Sequence, residues 1–333
     1  MSRRWYAASI RSLAPGASLA SAALLAALAC AGESPPVPAA TVGEHTLAVP
    51  GGTIWYTVSG TGGGTPVILL HGGPGFGSFY MKPFEALGDE RVVVRYDQLG
   101  SGKSGETTDT ALFNIAHFVR ELDSLRTALG YDRVALLGPS WGTILAHEYY
   151  QAHPEHVASI IFASPALDIP TWEKNARRLV KTLSTQSQAA IARAEATGKF
   201  ADSSYVKAND EFYGKYVFLR PDKANLDSTF ATVNAAMYGY MQGPSEYTIT
   251  GTLKTYNSTA QLSRIRVPAL FMVGSNDEAD PPTVKAHAAL TPNARFVVID
   301  SAAHMITWDN PVQSQREARA FLRTADSASR AKP

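Results

Sequence analysis

Cysteine is almost absent. The 333 residues include one, Cys30, so no disulfide can form within the chain and the fold must be stable through its core. Heptads, internal repeats and runs of like charge are also missing, which excludes coiled coils, solenoids and charged tails. A formal charge of only +1 leaves no electrostatic footprint for nucleic acid. No acidic residue precedes Glu33, whereas Arg3, Arg4 and Arg11 make the start basic. The small apolar residues that follow, ending at Ala23–Cys30, are too few and too interrupted by Pro15, Ser18 and Ser21 to span a bilayer well. The remainder has ordinary globular composition. Its length admits either two or three small domains or one large α/β domain carrying an insertion.

The basic start and short apolar stretch read as an export signal over residues 1–29, outside the fold. Cys30 sits where that signal should be cut. With Leu28 and Ala29 before it, the position resembles a bacterial lipoprotein attachment site, although Ala27 stands where a branched residue is usual. Cleavage at Ala27-Leu28-Ala29 without lipidation also fits the small-x-small rule. The expectation is an exported protein, anchored to the cell envelope through Cys30 or else periplasmic or secreted. Membrane contact is expected only through such an anchor. Losing residues 1–29 removes three arginines and no acids, taking the formal charge from +1 to −2. Residues 30–43, small and proline-rich, read as a tether. Residues 326–333 are polar and read as a frayed tail.

Between these ends the pattern is regular. Thr46–Val49 and Thr53–Val58 alternate around Gly51-Gly52 like a hairpin. Short continuous apolar runs follow at Val67–Leu70, Arg91–Tyr96, Arg133–Leu137, Val157–Phe162, Ala269–Val273 and Arg295–Ile299. Runs apolar on both sides suit strands covered by helices on both faces. Helical periodicity fills Phe113–Leu129, Thr143–Ala152, Pro282–Leu290 and Pro311–Leu322. The alternation predicts a mostly parallel, doubly wound α/β sheet. Residues 170–262 break it: they are helix-prone, richer in charge and too long for a loop. They read as a helical cap between the sixth and seventh of the eight runs, with core segments at 44–169 and 263–325.

Chemistry concentrates at the carboxyl ends of the runs. Gly138-Pro139-Ser140-Trp141-Gly142 joins a strand to a helix, the setting of a nucleophile elbow. The alternative is a structural turn whose serine caps the helix. A serine hydroxyl needs a positioned base, and on this fold its partners follow as acid and then histidine. Asp277 and His304 lie beyond the ends of the last two runs, Ala269–Val273 and Arg295–Ile299, and are preferred to Asp280, which looks like a helix-entry residue, and Asp300, too close in chain to His304. His117 and His147 lie within helices, and His153 and His156 flank Pro154 with no carboxylate or cysteine cluster to suggest a metal. His71-Gly72-Gly73-Pro74-Gly75 brings bare backbone above the sheet, so the amides of Gly73 and Trp141 are the expected oxyanion hole, with His71 ordering the loop. Gly100-Ser101-Gly102-Lys103-Ser104 is not a phosphate loop, because Asp97 stands where its first glycine is required. Asn257-Ser258-Thr259 matches a glycosylation acceptor, which a bacterial-type signal makes uninformative.

HGGPG at 71–75, DQLGSGKS at 97–104, GPSWGT at 138–143, GPSEYTITGTLKTYN at 243–257 and VGSNDEADP at 273–281 together resemble the proline iminopeptidases, a branch of the α/β-hydrolases. The resemblance covers roughly residues 44–325. Pro139 and Thr143 depart from the residues usual around the elbow. The cap segment is similar to the tricorn-interacting aminopeptidase subgroup, which implies that Glu246 and Glu278 hold the substrate's free amino terminus; the alternative makes both solvated surface charges. Rings of Phe212-Tyr213-Gly214-Lys215-Tyr216 are candidates for a proline pocket. The resemblance implies release of an N-terminal residue, often proline, from short peptides, amides or arylamides through an acyl-enzyme, without metal or cofactor. An esterase, lactonase or amino-acid amidase, or a non-catalytic binding lipoprotein, would fit the same fold.

Overall fold

Apolar runs that end in glycine-rich turns become the strands of one sheet. The computed structural model describes residues 41–221 and 223–330; the export segment, Cys30 and the tether up to residue 40 lie outside them. The strands are β1 (Gly43–Val49), β2 (Gly52–Leu69), β3 (Arg91–Asp97), β4 (Val134–Ser140), β5 (Val157–Pro165), β6 (Ala269–Gly274) and β7 (Ala294–Ile299). β1 and β3 run antiparallel to β2. From β2 the sheet continues through β4, β5, β6 and β7, all parallel. Eight expected runs therefore give seven strands. Thr53–Val58 and Val67–Leu69 are two ends of the single strand β2, which passes β3 through a bulge where Gly63 and Gly64 both face Arg91. The cap accordingly leaves the sheet after the fifth strand.

Continuous apolar runs are needed because both faces are covered. Ile68, Val94, Leu136, Ile160 and Phe271 pack on one side with α1 (Ile115–Ala128) and α2 (Trp141–Ala152). Their strand neighbours Val67, Val93, Leu137, Ile161 and Met272 pack on the other, against the 3-10 turns of Ser78–Asp89 and the carboxyl-terminal helix. Alternation across the pleat divides each strand between two cores.

Between β5 and β6 come α3 (Ile169–Val180), α4 (Thr185–Thr197), α5 (Ser203–Tyr216), α6 (Lys223–Phe230) and α7 (Ala235–Met241). Asp168, Ser184, Asp202 and Asn234 start four of them, each accepting an amide of the first turn. α8 (Pro281–Leu290) and α9 (Ile306–Asp309) flank β7, and α10 (Pro311–Arg330) ends the described chain. Residues 326–330 are thus helix rather than a frayed tail. Asp326 pairs with the buried Arg91 at 3.1 Å and accepts the Thr65 amide, so tertiary bonds hold the last turns. Among the described residues no helix is long and apolar enough to cross a membrane.

Candidate active site

The turn from β4 into α2 forces Ser140 into φ 53°, ψ −123°, a conformation that costs of order 1–3 kcal/mol and persists only when packing imposes it. The flanking glycines explain how it is imposed. A Cβ on Gly138 would lie 2.2 Å from the Gly142 carbonyl oxygen, and one on Gly142 would lie 2.1 Å from that of Leu70. Ser140 occupies the N-cap position, yet its hydroxyl makes no capping hydrogen bond, so the capping alternative does not describe it. Thr143 instead donates to the Ser140 carbonyl at 2.5 Å and accepts from the Ala166 amide at 3.1 Å. The threonine that departs from the usual elbow thus ties it to the start of the cap.

Asp277 and His304 meet above the ends of β6 and β7. His304 Nδ1 donates to Asp277 Oδ1 at 2.9 Å. The Ala279 amide also donates to Oδ1 and the Gly274 amide to Oδ2, which fixes the carboxylate. Burial alone would lower the His304 pKa, but the charge and hydrogen bond of Asp277, with Glu246 adding, outweigh it and the net shift is upward. The ring and the backbone of His304 are held on other sides too. The ring of Trp172 meets it edge-on at 5.3 Å, the Ser164 hydroxyl donates to its carbonyl, and its amide donates to Tyr216 of the cap. The competing acids are occupied otherwise: Asp280 caps α8 and pairs with Arg178, and Asp300 is exposed.

Gly73 has φ 117°, and a Cβ there would meet the amide nitrogens of Gly75 and Phe76 at 2.7 and 2.8 Å, so only glycine fits. Trp141 opens α2, where the first amides have no partner within the helix. His71 is wholly buried; its Nδ1 donates to the Gly72 carbonyl and its Nε2 accepts the Gln98 amide. Both nitrogens are engaged and burial pushes its pKa down, as suits a neutral residue that orders the loop. Gln98 was not singled out from sequence, although it lies in DQLGSGKS. Its Oε1 accepts the Trp141 indole N–H at 2.8 Å and its Nε2 donates to the His71 carbonyl at 3.1 Å, joining both walls of the expected oxyanion hole. Asp97 accepts the amides of Ser78 and Lys103, so DQLGSGKS braces the site rather than binding phosphate.

Two cavities open on Ser140, Gly73 and Glu246. The larger, about 580 Å³ including its open part, also has His304 on its wall. The smaller, about 250 Å³ including its open part, is bounded by Trp141, Ile169 and Trp172. Glu246 accepts the Tyr238 hydroxyl at 2.6 Å, while its carbonyl accepts the Trp172 indole N–H at 3.0 Å. Glu278 is fully buried, neither oxygen has a hydrogen-bond partner, and Oε1 lies 4.0 Å from His304 Nδ1. Neither glutamate is a solvated surface charge. Burial raises the pKa of both, most strongly for Glu278, where the charges of Glu246 and Asp277 add to the effect. Of the cap rings expected near a proline pocket, Tyr213 lines the larger cavity and Phe212 is buried within the cap. Asp309 was missed as well: it accepts the amides of Ala303, Leu219 and Arg220, coupling the loop before His304 to the cap.

A sequence profile of the alpha/beta hydrolase fold matches residues 65–311. A proline iminopeptidase of Heyndrickxia coagulans is 40% identical over 272 residues, spanning 80% of this chain and 94% of that one. Among solved structures, the proline iminopeptidase of Mycobacterium smegmatis superposes with a TM-score of 0.79 at 29% identity, over 86% of this chain and all of its own. VinJ superposes at 0.81 with 28% identity, over 85% and 99%. A strand-to-helix turn whose Ser140 shares a cavity with His304, itself bonded to Asp277 at the adjacent strand end, agrees with these likenesses: the chain belongs to the proline iminopeptidase family of serine hydrolases with the α/β-hydrolase fold.

Proposed function

We propose that the protein is a serine aminopeptidase that releases an N-terminal residue, preferably proline, from short peptides, amides or arylamides. The observation that carries this reading is the pair Glu246 and Glu278 beside the Asp277–His304 couple. Among the described residues no lysine or arginine forms an ion pair with either, and a buried carboxylate whose charge is not balanced by such a pair invites a cation. An N-terminal ammonium supplies one, with a charge and several donors that an internal amide lacks. The first residue then sits in the smaller cavity against Trp172.

Ser140 Oγ attacks the carbonyl carbon while His304 takes its proton, and Asp277 stabilises the imidazolium. The amides of Gly73 and Trp141 receive the oxyanion; each such donor typically contributes about 3–4 kcal/mol. The C–N bond breaks as His304 protonates the departing nitrogen. Water then attacks the acyl-enzyme, giving its proton to His304, and Ser140 leaves with that proton restored.

Comparing a prolyl arylamide, its N-acetyl form and a short acyl ester tests the reading. Acetylation should abolish most turnover of the arylamide. An unchanged rate after acetylation, or an ester far better than the amide, would replace it with an esterase or lactonase on the same fold. The export signal and lipidation of Cys30 belong to the same proposal. Mass analysis of the amino terminus from membrane and soluble fractions would support them by finding diacylglycerol on Cys30, and an intact Met1 would refute both.

A further inference from the structure

The larger cavity has no assigned occupant. We infer that it is the leaving-group subsite and that it selects substrates whose second residue is bulky, apolar and uncharged. This rests on the aminopeptidase reading above and extends it to the other side of the scissile bond. The two cavities share Ser140, Gly73 and Glu246, but His304 lines only the larger and Trp141 only the smaller. The imidazole that takes the Ser140 proton must deliver it to the departing nitrogen. The amine therefore leaves on the side of His304, into the larger space.

The walls of that space state its chemistry. Three aromatic pairs line it: Phe76 with Phe230 at 5.6 Å, Tyr80 with Trp308 at 6.3 Å and Tyr213 with Phe218 at 5.9 Å. Edge-on rings of this kind accept apolar and aromatic side chains. Among the described residues on the wall none is a lysine or arginine, and Glu246 is the one carboxylate. A negative charge on the second residue, or the free carboxylate of a dipeptide, would be stripped of water with no cationic partner on the wall. The cavity thus favours a neutral, large leaving group and disfavours an acidic one.

The test uses the full chain and four substrates: Pro-Phe-NH2, Pro-Gly-NH2, Pro-Asp-NH2 and Pro-Phe with a free carboxylate. Pro-Phe-NH2 should exceed Pro-Gly-NH2 in kcat/KM by roughly tenfold or more, with the two acidic substrates lowest. Phe230→Trp, which fills the cavity, should bring the Phe-to-Gly ratio toward one; Phe230→Ala, which removes one wall, should lower it as well. Circular dichroism confirms that each variant is folded, and the tryptophan variant covers the case in which the alanine loosens the cap. Equal rates for all four substrates, a preference for Pro-Asp-NH2, or an unchanged ratio in both variants overturns the inference while leaving a proline aminopeptidase standing. Failure to cleave any of the four, with an acyl ester still turned over, removes the aminopeptidase reading and this inference with it.

Discussion

Glu246→Gln separates recognition of the amino terminus from the chemistry. The substitution keeps the shape and the acceptor for Tyr238, whose hydroxyl lies 2.6 Å from Oε1, and removes only the charge. An ammonium about 4 Å from a carboxylate gains about 4 kcal/mol at an effective dielectric constant near 20. Desolvation offsets part of this, and losses measured for desolvated charge pairs start at about 2 kcal/mol. The expected loss in kcat/KM for a prolyl arylamide is therefore about 30- to 1000-fold, with little change for a neutral acyl ester. A second consequence follows from the electrostatics. Glu246 contributes to the upward shift of His304 and to that of Glu278, so the variant's acid limb for ester hydrolysis should move to lower pH. Steady-state kinetics on both substrates across pH reads the two effects together. Equal losses on amine and ester would mean a damaged cap, and no loss on the amine would refute the role of Glu246.

Other outcomes follow from the same contacts. Asp277→Asn removes the charge that holds and stabilises the His304 imidazolium; kcat should fall by about 10⁴-fold while the protein stays folded. In the wild type, His304 must be neutral to accept the Ser140 proton and its pKa is raised above 6.5, so kcat/KM for a neutral ester should fall on acidification with a midpoint above that value. Asp326→Ala leaves the guanidinium of Arg91, 1% exposed, with Glu90 at 3.7 Å. Breaking a buried pair costs about 3 kcal/mol or more, a melting temperature lower by roughly 5–10 °C in calorimetry. Arg323 and Arg319 hold Glu90 down to about 2 from 4.5; the stability it confers is present above the unfolded value and should be lost as pH falls from about 4.5 toward 2 in acid unfolding.

Much of the architecture was legible because its signals are local. A strand buried on both faces must be continuously apolar, and a turn that passes backbone within contact distance must carry glycine, so Val134–Leu137 followed by Gly138 and Gly142 located the elbow. Asp277 and His304 were legible for the same reason, each a few residues beyond a strand end. Glu246 and Glu278 were not readable from spacing; they came from resemblance, and burial now distinguishes them from surface charges. Gln98 bonds across to His71 and Trp141, Asp309 bridges a loop and the cap, and Asp326 reaches Arg91 from the far end of the chain. Nothing in their local sequence records such partners. Residues 326–330 of α10 read like a tail until Asp326 is seen against Arg91 and the Thr65 amide. The two ends of β2 read as separate strands because the bulged stretch between them has the composition of a turn.

Covalent labelling of the purified protein with a fluorophosphonate, mapped by peptide mass spectrometry, tests most directly whether Ser140 is a nucleophile activated by His304 and Asp277. A single adduct on Ser140 is expected, formed rapidly in the wild type and lost or strongly slowed in a folded His304→Ala protein. A folded wild type that stays unlabelled, or carries the adduct on another residue, would contradict it.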